Sequence, residues 1–315
     1  MKTIVSLGLL ATSAPALMAS TVAYWRFEEG PDGGNVARGG LGDGIFYAGV
    51  ADATGNGNEL SAWSNGSYAG YVYRTDSPGT IVPQTGAANN FSVQNTGGDP
   101  AMWTETGTSM QTWSPATWTI EVTFQPELTN GYRTLVGRDS QGSVTTGDAN
   151  LAALYLQILP DEALAIKYCD VQGVWHEAIS SANLVQGFAF PDTAAGQWQT
   201  AAAVCDGTTL SLYYKNIELG DVAYTLAAQT NLTLSGSTNT ALTAGTGDGV
   251  DWDAGNFTVG RGMYAGGHGD RAYGFIDETR ISDTALAPSQ FLWVPEPGSA
   301  MLALSGLLVF LRRRR

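Results

Sequence analysis

Carboxylates, histidines and tryptophans are the side chains here that could do chemistry, and their spacing decides which chemistry. A two-carboxylate glycosidase needs acids facing each other across the bond it cuts, and on a strand that means acids two residues apart. Glu121 is flanked at that spacing by Thr119 and Thr123, while Asp277-Glu278 and Glu28-Glu29 are adjacent pairs whose side chains diverge to opposite faces. The two histidines, His176 and His268, are far apart and have no Ser or Cys nucleophile pattern beside them. Gly-x-Ser-x-Gly, His-Glu-x-x-His and phosphate-loop patterns are absent. The expectation is a non-enzymatic protein. A glycan-active hydrolase, its carboxylates assembled by folding, is the alternative, and a purely structural surface protein is the third reading.

Two other chemistries have residues to support them. Asp52-Ala-Thr-Gly-Asn-Gly-Asn58 is a tight glycine-rich loop of short side chains and exposed carbonyls, the oxygen-rich material that calcium uses. The competing reading is that Asp52 caps a turn. Sugar binding needs exposed aromatic rings, and Trp103, Trp113, Trp252 and Tyr264 lie in polar, loop-like surroundings. Trp25, Trp118 and Trp198 sit in strand patterns and are expected in the core.

The elements that must position these residues are strands. Thr21 to Phe27 alternates. In Thr117 to Phe124, Trp118, Ile120, Val122 and Phe124 share one face and Thr117, Thr119, Glu121 and Thr123 the other, the mark of a half-buried strand. Tyr132 to Arg138 follows an Asn130-Gly131 turn. Ala152 to Leu159 and Ala163 to Cys169 flank Pro160-Asp161-Glu162, a hairpin, and Val174 to Ile179 comes next. Trp198 to Cys205 and Thr209 to Asn216 flank Asp206-Gly207, a second hairpin. Asn256 to Gly260 and Ala272 to Ile281 close the series. Gly30 to Gly44 and Gln229 to Gly249 read as loops without the Pro or charge run of a linker, so residues 20 to 294 form one domain.

Both ends carry their own signals. Lys2, the apolar run Ile4 to Ala11 and small residues up to Ser20 make a secretory signal peptide, with cleavage expected after Ala19. At the other end stand Pro295-Glu296-Pro297, an apolar run from Ala300 to Leu311, and Arg312, Arg313, Arg314 and Arg315. That run of about 12 residues spans only about 18 Å as a helix, short of the roughly 30 Å bilayer core, and the arginines act as a stop. The tail resembles the PEP-CTERM sorting signal of Gram-negative bacteria. The resemblance implies that an exosortase cuts near Pro295-Glu296-Pro297 and passes the rest to the cell surface, outer membrane or extracellular matrix. The membrane then enters only through this segment before processing.

Composition fits an exported all-β chain. Of 315 residues 40 are Gly and 14% are charged, and glycines interleaved with Trp, Tyr, Val and Leu mean many short strands joined by tight turns rather than low complexity. Losing Lys2 and the four arginines removes five positive charges from a net −14, leaving −19 with Glu296 kept and −18 without it. Such a chain repels nucleic acid and anionic surfaces and accepts calcium or a neutral or cationic polymer. Cys169 and Cys205 are the two cysteines. An even count in an oxidising compartment favours a disulfide, with two separate buried thiols as the alternative.

Several ordered segments resemble one family. Ala23-Tyr-Trp-Arg-Phe-Glu-Glu-Gly30 opens the domain and the Asp52 loop follows. Gly196-Gln-Trp198 leads to Ala203-Val-Cys-Asp-Gly207 and Leu210 to Tyr214, and Gly274-Phe-Ile-Asp-Glu-Thr-Arg-Ile281 comes near the end with Ala285-Leu286 after it. Together they look like the LamG-like jelly roll of the concanavalin A-like lectin/glucanase superfamily. The resemblance implies an antiparallel β-sandwich and a binding domain associated with extracellular polysaccharide. It also implies that the Asp52 loop meets the last strand, so that Asp52 and Asp277, with Asn56 and Glu28 as further ligands, would hold calcium. Cys205, standing where the family has an aromatic residue, and the stretch Gln229 to Asp253, which looks inserted, depart from the pattern.

Overall fold

The structure is a computed structural model that describes residues 21–36, 48–64, 70–140, 152–187, 196–249, 252–264 and 267–295. The signal peptide, Glu296, Pro297, the short apolar helix expected after them and Arg312 to Arg315 lie outside the described residues. Among the described residues, eighteen strands run in chain order. The first nine are β1 (Thr21–Trp25), β2 (Ala48–Val50), β3 (Leu60–Trp63), β4 (Tyr71–Arg74), β5 (Ser92–Asn95), β6 (Ala101–Thr104), β7 (Trp118–Leu128), β8 (Arg133–Arg138) and β9 (Leu154–Ile158). The rest are β10 (Leu164–Cys169), β11 (Trp175–Ile179), β12 (Gln199–Cys205), β13 (Thr209–Asn216), β14 (Thr225–Asn231), β15 (Phe257–Val259), β16 (Gly262–Tyr264), β17 (Gly267–Gly269) and β18 (Tyr273–Ser282).

Two eight-stranded antiparallel sheets form a jelly-roll sandwich. The first sheet runs β14-β13-β12-β7-β18-β5-β4, with β1 also on β18, and the second runs β11-β10-β9-β8-β15-β6-β3-β2. β16 and β17 form a separate hairpin. No helix among the described residues is long and apolar enough to cross a membrane.

Alternation builds the core. Trp118, Ile120, Val122 and Phe124 of β7 face inward as their spacing requires, meeting Leu154, Leu156 and Ile158 of β9 and Leu164, Ile166 and Tyr168 of β10. Trp118 meets Tyr168 edge-on, ring centroids 5.4 Å apart. Each such large side chain removed from water stabilises the fold by about 1.5–3 kcal/mol.

The other face of β7 differs from the half-buried strand its pattern predicts. Thr119, Glu121 and Thr123 are all buried, because residues 283–294 cross back over the outer face of the first sheet. The Leu286 amide donates to Thr119 Oγ1 at 2.9 Å and the Leu292 amide to Glu121 Oε1 at 2.8 Å. The Trp293 indole donates to Thr123 Oγ1 at 2.6 Å. Arg280 Nε donates to Glu121 Oε2 at 2.6 Å, and its Nη2 donates to the Gln290 carbonyl at 2.8 Å. Leu286, Phe291, Leu292 and Trp293 pack with Tyr24, Val82, Ala202, Val204 and Tyr224 as a second, smaller core. This strap supplies both the apolar contacts and the hydrogen bonds that allow a charged face to be buried.

Cys169 and Cys205 are not joined. Tyr168 points into the core and its hydroxyl lies 3.7 Å from Cys205 Sγ. The next residue on β10, Cys169, must therefore point the opposite way, and its thiol contacts the Asp170 carbonyl at 3.6 Å. The two residues belong to different sheets, and both are buried, reduced thiols.

Candidate functional site

The expected calcium set separates into two places. Trp25 pairs with Thr279 on one edge of β1 and with Asp52 on the other. A whole strand thus stands between the Asp52 loop and β18, about 10 Å at two strand spacings. Asp52 is spent on its own turn: Oδ1 accepts from the Tyr24 amide at 3.1 Å and the Thr54 amide at 3.0 Å, and Oδ2 from the Asn58 amide at 3.2 Å. Asn56 clamps β1, its amide nitrogen donating to the carbonyls of Thr21 at 3.2 Å and Val22 at 3.1 Å. Turn capping, the competing reading, describes Asp52.

Asp277 sits in a different, charged environment. Its Oδ2 accepts from Asn89 Nδ2 at 2.8 Å and its Oδ1 from the Glu278 amide at 2.8 Å. Glu28 holds the same turn from outside, accepting from the Asn90 amide at 2.7 Å, Asn90 Nδ2 at 2.8 Å and the Phe91 amide at 3.1 Å. Glu278, in the left-handed region at φ 33°, turns to accept from Arg26 Nη2 at 2.8 Å and from the Tyr24 hydroxyl. Burial first, and the Glu278 charge next, push the Asp277 carboxyl well above the ordinary carboxylate range. Burial also raises Glu278, against the pull of Arg26 and Tyr24. Asn89 Oδ1 is buried beside this pair without a hydrogen-bond partner. Among the described residues no three His, Cys, Asp or Glu side chains group as a metal cluster, so any cation here would also use the Asn89 amide oxygen. The donor type fits a hard cation.

The expected sugar platform is only partly at the surface. Trp103 is 8% exposed, on β6 between Thr258 and Ser61. Trp252, also 8% exposed, packs with Ala152, Tyr155 and Met263. Trp113 packs on the core, its ring tilted over Phe257 at 5.9 Å. Both Trp103 and Trp252 are packing residues, because β6 and the β16–β17 hairpin draw them onto the sheet. Tyr264 alone of the four is exposed, at 73%.

The aromatic that the sequence reading missed is Trp175. Tyr155, Lys167 and Glu177 form one cross-strand row on the outer face of the second sheet, and Trp175 lies two residues from Glu177 on the same face. The Trp175 ring is half-buried and stacks on Tyr155 at 6.4 Å and 26°. Its indole nitrogen is buried and has no partner among the described residues. Lys167 Nζ lies 3.2 Å from Glu177 Oε2. The signal was present in Val174 to Ile179, where alternation puts Trp175, Glu177 and Ile179 on one face. Glu177 is the one carboxylate in the eight strands of this sheet.

Comparison with known proteins gives likenesses of shape. No family model matches the chain, and no curated protein matches it. Among solved structures, domain 4 of AbnA, an extracellular arabinanase from Geobacillus stearothermophilus in complex with arabinotriose, is similar at 16% identity and TM-score 0.48, over 86% of this chain and 96% of that one. The CBM40 of a Ruminococcus gnavus IT-sialidase, bound to α2,3-sialyllactose, is similar at 14% identity and TM-score 0.40, over 56% and 81%. The botulinum neurotoxin serotype G binding domain is similar at 8% identity and TM-score 0.47, over 86% and 49%.

Proposed function

We propose that this chain is an exported, non-catalytic jelly-roll domain, LamG-like, that binds extracellular polysaccharide through the outer face of its second sheet. The carrying observation is Trp175: a half-buried ring on the outer face, stacked on Tyr155 beside the Lys167–Glu177 pair. An apolar ring face bordered by a few fixed donors and acceptors is what a pyranose requires. A lone carboxylate in that sheet's strands supports binding over hydrolysis, since hydrolysis takes two. The C-terminal tail is read as a PEP-CTERM signal, processed by an exosortase, that delivers the domain to the surface or matrix of a Gram-negative cell. The cation reading moves from Asp52 to Asp277 and Asn89 Oδ1, where calcium would offset buried negative charge.

A glycan array with the purified protein, with and without calcium, tests this. Binding to neutral or cationic polysaccharide that is lost in Trp175→Ala while the melting temperature is kept is the expected result. Binding that survives Trp175→Ala overturns the site, and an array without hits overturns the function.

A further inference from the structure

We infer that β14 is a self-association edge, through which a second copy of this chain adds to the first sheet in antiparallel register. β14 ends that sheet and pairs with β13 alone. Among the described residues, no backbone bond outside that pairing involves Thr225–Asn231. Thr230 sends its hydroxyl to the Glu177 carbonyl, a side-chain contact that leaves the edge unused. The other end of the sheet is covered: the Val36 amide donates to the Tyr71 carbonyl at 3.0 Å and the Tyr73 amide to the Gly34 carbonyl at 2.8 Å along β4.

An open edge is a template for another strand, and soluble proteins usually blunt it with charge, proline or a cover. Among the described residues this edge carries no charge or proline, and its contact beyond β13 is with β11, across the sandwich at Thr230. Residues 222–247 contain no Asp, Glu, Lys, Arg, His or Pro, in a chain of net charge −14. Two such acidic molecules repel over most of their surfaces, and here that repulsion is least. Apolar side chains cluster on the same stretch, with Leu219, Val222, Leu226 and Leu234 exposed at 66, 89, 52 and 83%.

A two-fold partner makes the occupant specific, because an isologous contact needs one patch to complement itself. Ala228 is the middle residue of Thr225–Asn231. Val222 precedes it by six residues and Leu234 follows it by six. An axis at Ala228 therefore brings the Val222 end of one copy to the Leu234 end of the other, and Leu226 opposite Thr230. The sequence reading took Gln229 to Gly249 as a loop and Gln229 to Asp253 as an insertion; the last three residues of β14 fall inside both.

Light scattering and sedimentation equilibrium of the purified chain test the inference. A concentration-dependent dimer is expected. Leu226→Glu with Gln229→Glu, both at exposed positions, should leave a monomer with an unchanged melting temperature. Val222→Ser with Leu234→Ser, outside the strand, guards against a folding defect and should weaken the dimer by about tenfold or more. All variants keep the apolar tail, so association through the tail would not respond to them. A wild-type chain that stays monomeric at every concentration, or variants that dimerise as well as wild type, overturns the inference.

Discussion

The buried ammonium of Lys215 donates to the backbone carbonyl of Trp293 at 2.7 Å. Lys215 lies on the outer face of β13, where a lysine ordinarily reaches water. Instead burial lowers its pKa, and its charge fixes the last turn of the strap. Among the described residues the strap's last packed positions are therefore Trp293 and Val294, and Pro295 is exposed. Loss of everything from Pro295 onward should leave the melting temperature unchanged. Trp293→Ala, which removes a buried indole and its bond to Thr123, should cost about 3–5 kcal/mol, or roughly 6–20 °C. Equal melting losses for the truncation and for Trp293→Ala would show that the strap does not end there.

The sorting reading proposed above puts the cut after the strap. Protein recovered from its native host should lack Arg312 to Arg315 by intact mass, with Trp293 retained. Recovery of the complete tail would leave an ordinary anchor in place of a processed signal.

If calcium sits at Asn89 and Asp277, chelation should lower the melting temperature. An ion that binds only the folded state stabilises by about 2.7 kcal/mol at a hundredfold excess over its dissociation constant. Asp277→Asn should abolish the response to chelator, and Asp52→Asn should keep it, because Asp52 lies across β1. A chelator response that disappears in Asp52→Asn instead would restore the original pairing of Asp52 with Asp277.

Much of this was legible because strands alternate. The face carrying Trp118, Ile120, Val122 and Phe124 was assigned from spacing alone, and Thr209–Asn216 has the expected bounds. The strands from Ala48 to Thr104 were missed because they are three or four residues long, too short for a period to register. β14 was missed because Thr-Leu-Ala-Ala-Gln-Thr-Asn has no sharp alternation and is held by pairing with β13. The burial of Thr119, Glu121 and Thr123 could not be read locally, since the strap that covers them lies more than 160 residues away. The site erred for the same reason: that β1 lies between Asp52 and Asp277 is a fact of sheet order, not of either motif.

The two thiols should stay separate. Cys169 and Cys205 point to opposite sides of different elements, and bridging them would require one strand to reverse its facing. Mass spectra with and without reductant should be identical, and thiol reagents should label both cysteines only after denaturation. A reductant-sensitive mass in the monomer would restore the disulfide.

Asp170 gives a stability term with a defined sign in pH. It closes the turn between β10 and β11, with Oδ1 accepting from the Gln172 amide at 2.8 Å and the Val174 amide at 2.9 Å, and Oδ2 facing His176 Nε2 at 2.9 Å. Burial alone would raise this carboxyl. The bonds from His176, Val174 and Gln172, with the Ser237 hydroxyl nearby, together outweigh burial and hold it below its usual value of 3.8. A carboxyl more acidic in the folded than in the unfolded chain stabilises the fold above the unfolded value and loses that contribution as pH falls through the folded one. Asp170→Asn keeps the shape and removes the charge, so at neutral pH it should lose about 1.5–3 kcal/mol, the worth of hydrogen bonds to a charged group. The gap between wild type and variant should then narrow as pH falls below about 4, where the wild-type residue also takes up its proton. Melting curves of both proteins between pH 7 and pH 3 measure it. A gap that stays constant over that range would assign the loss to packing rather than to the carboxylate.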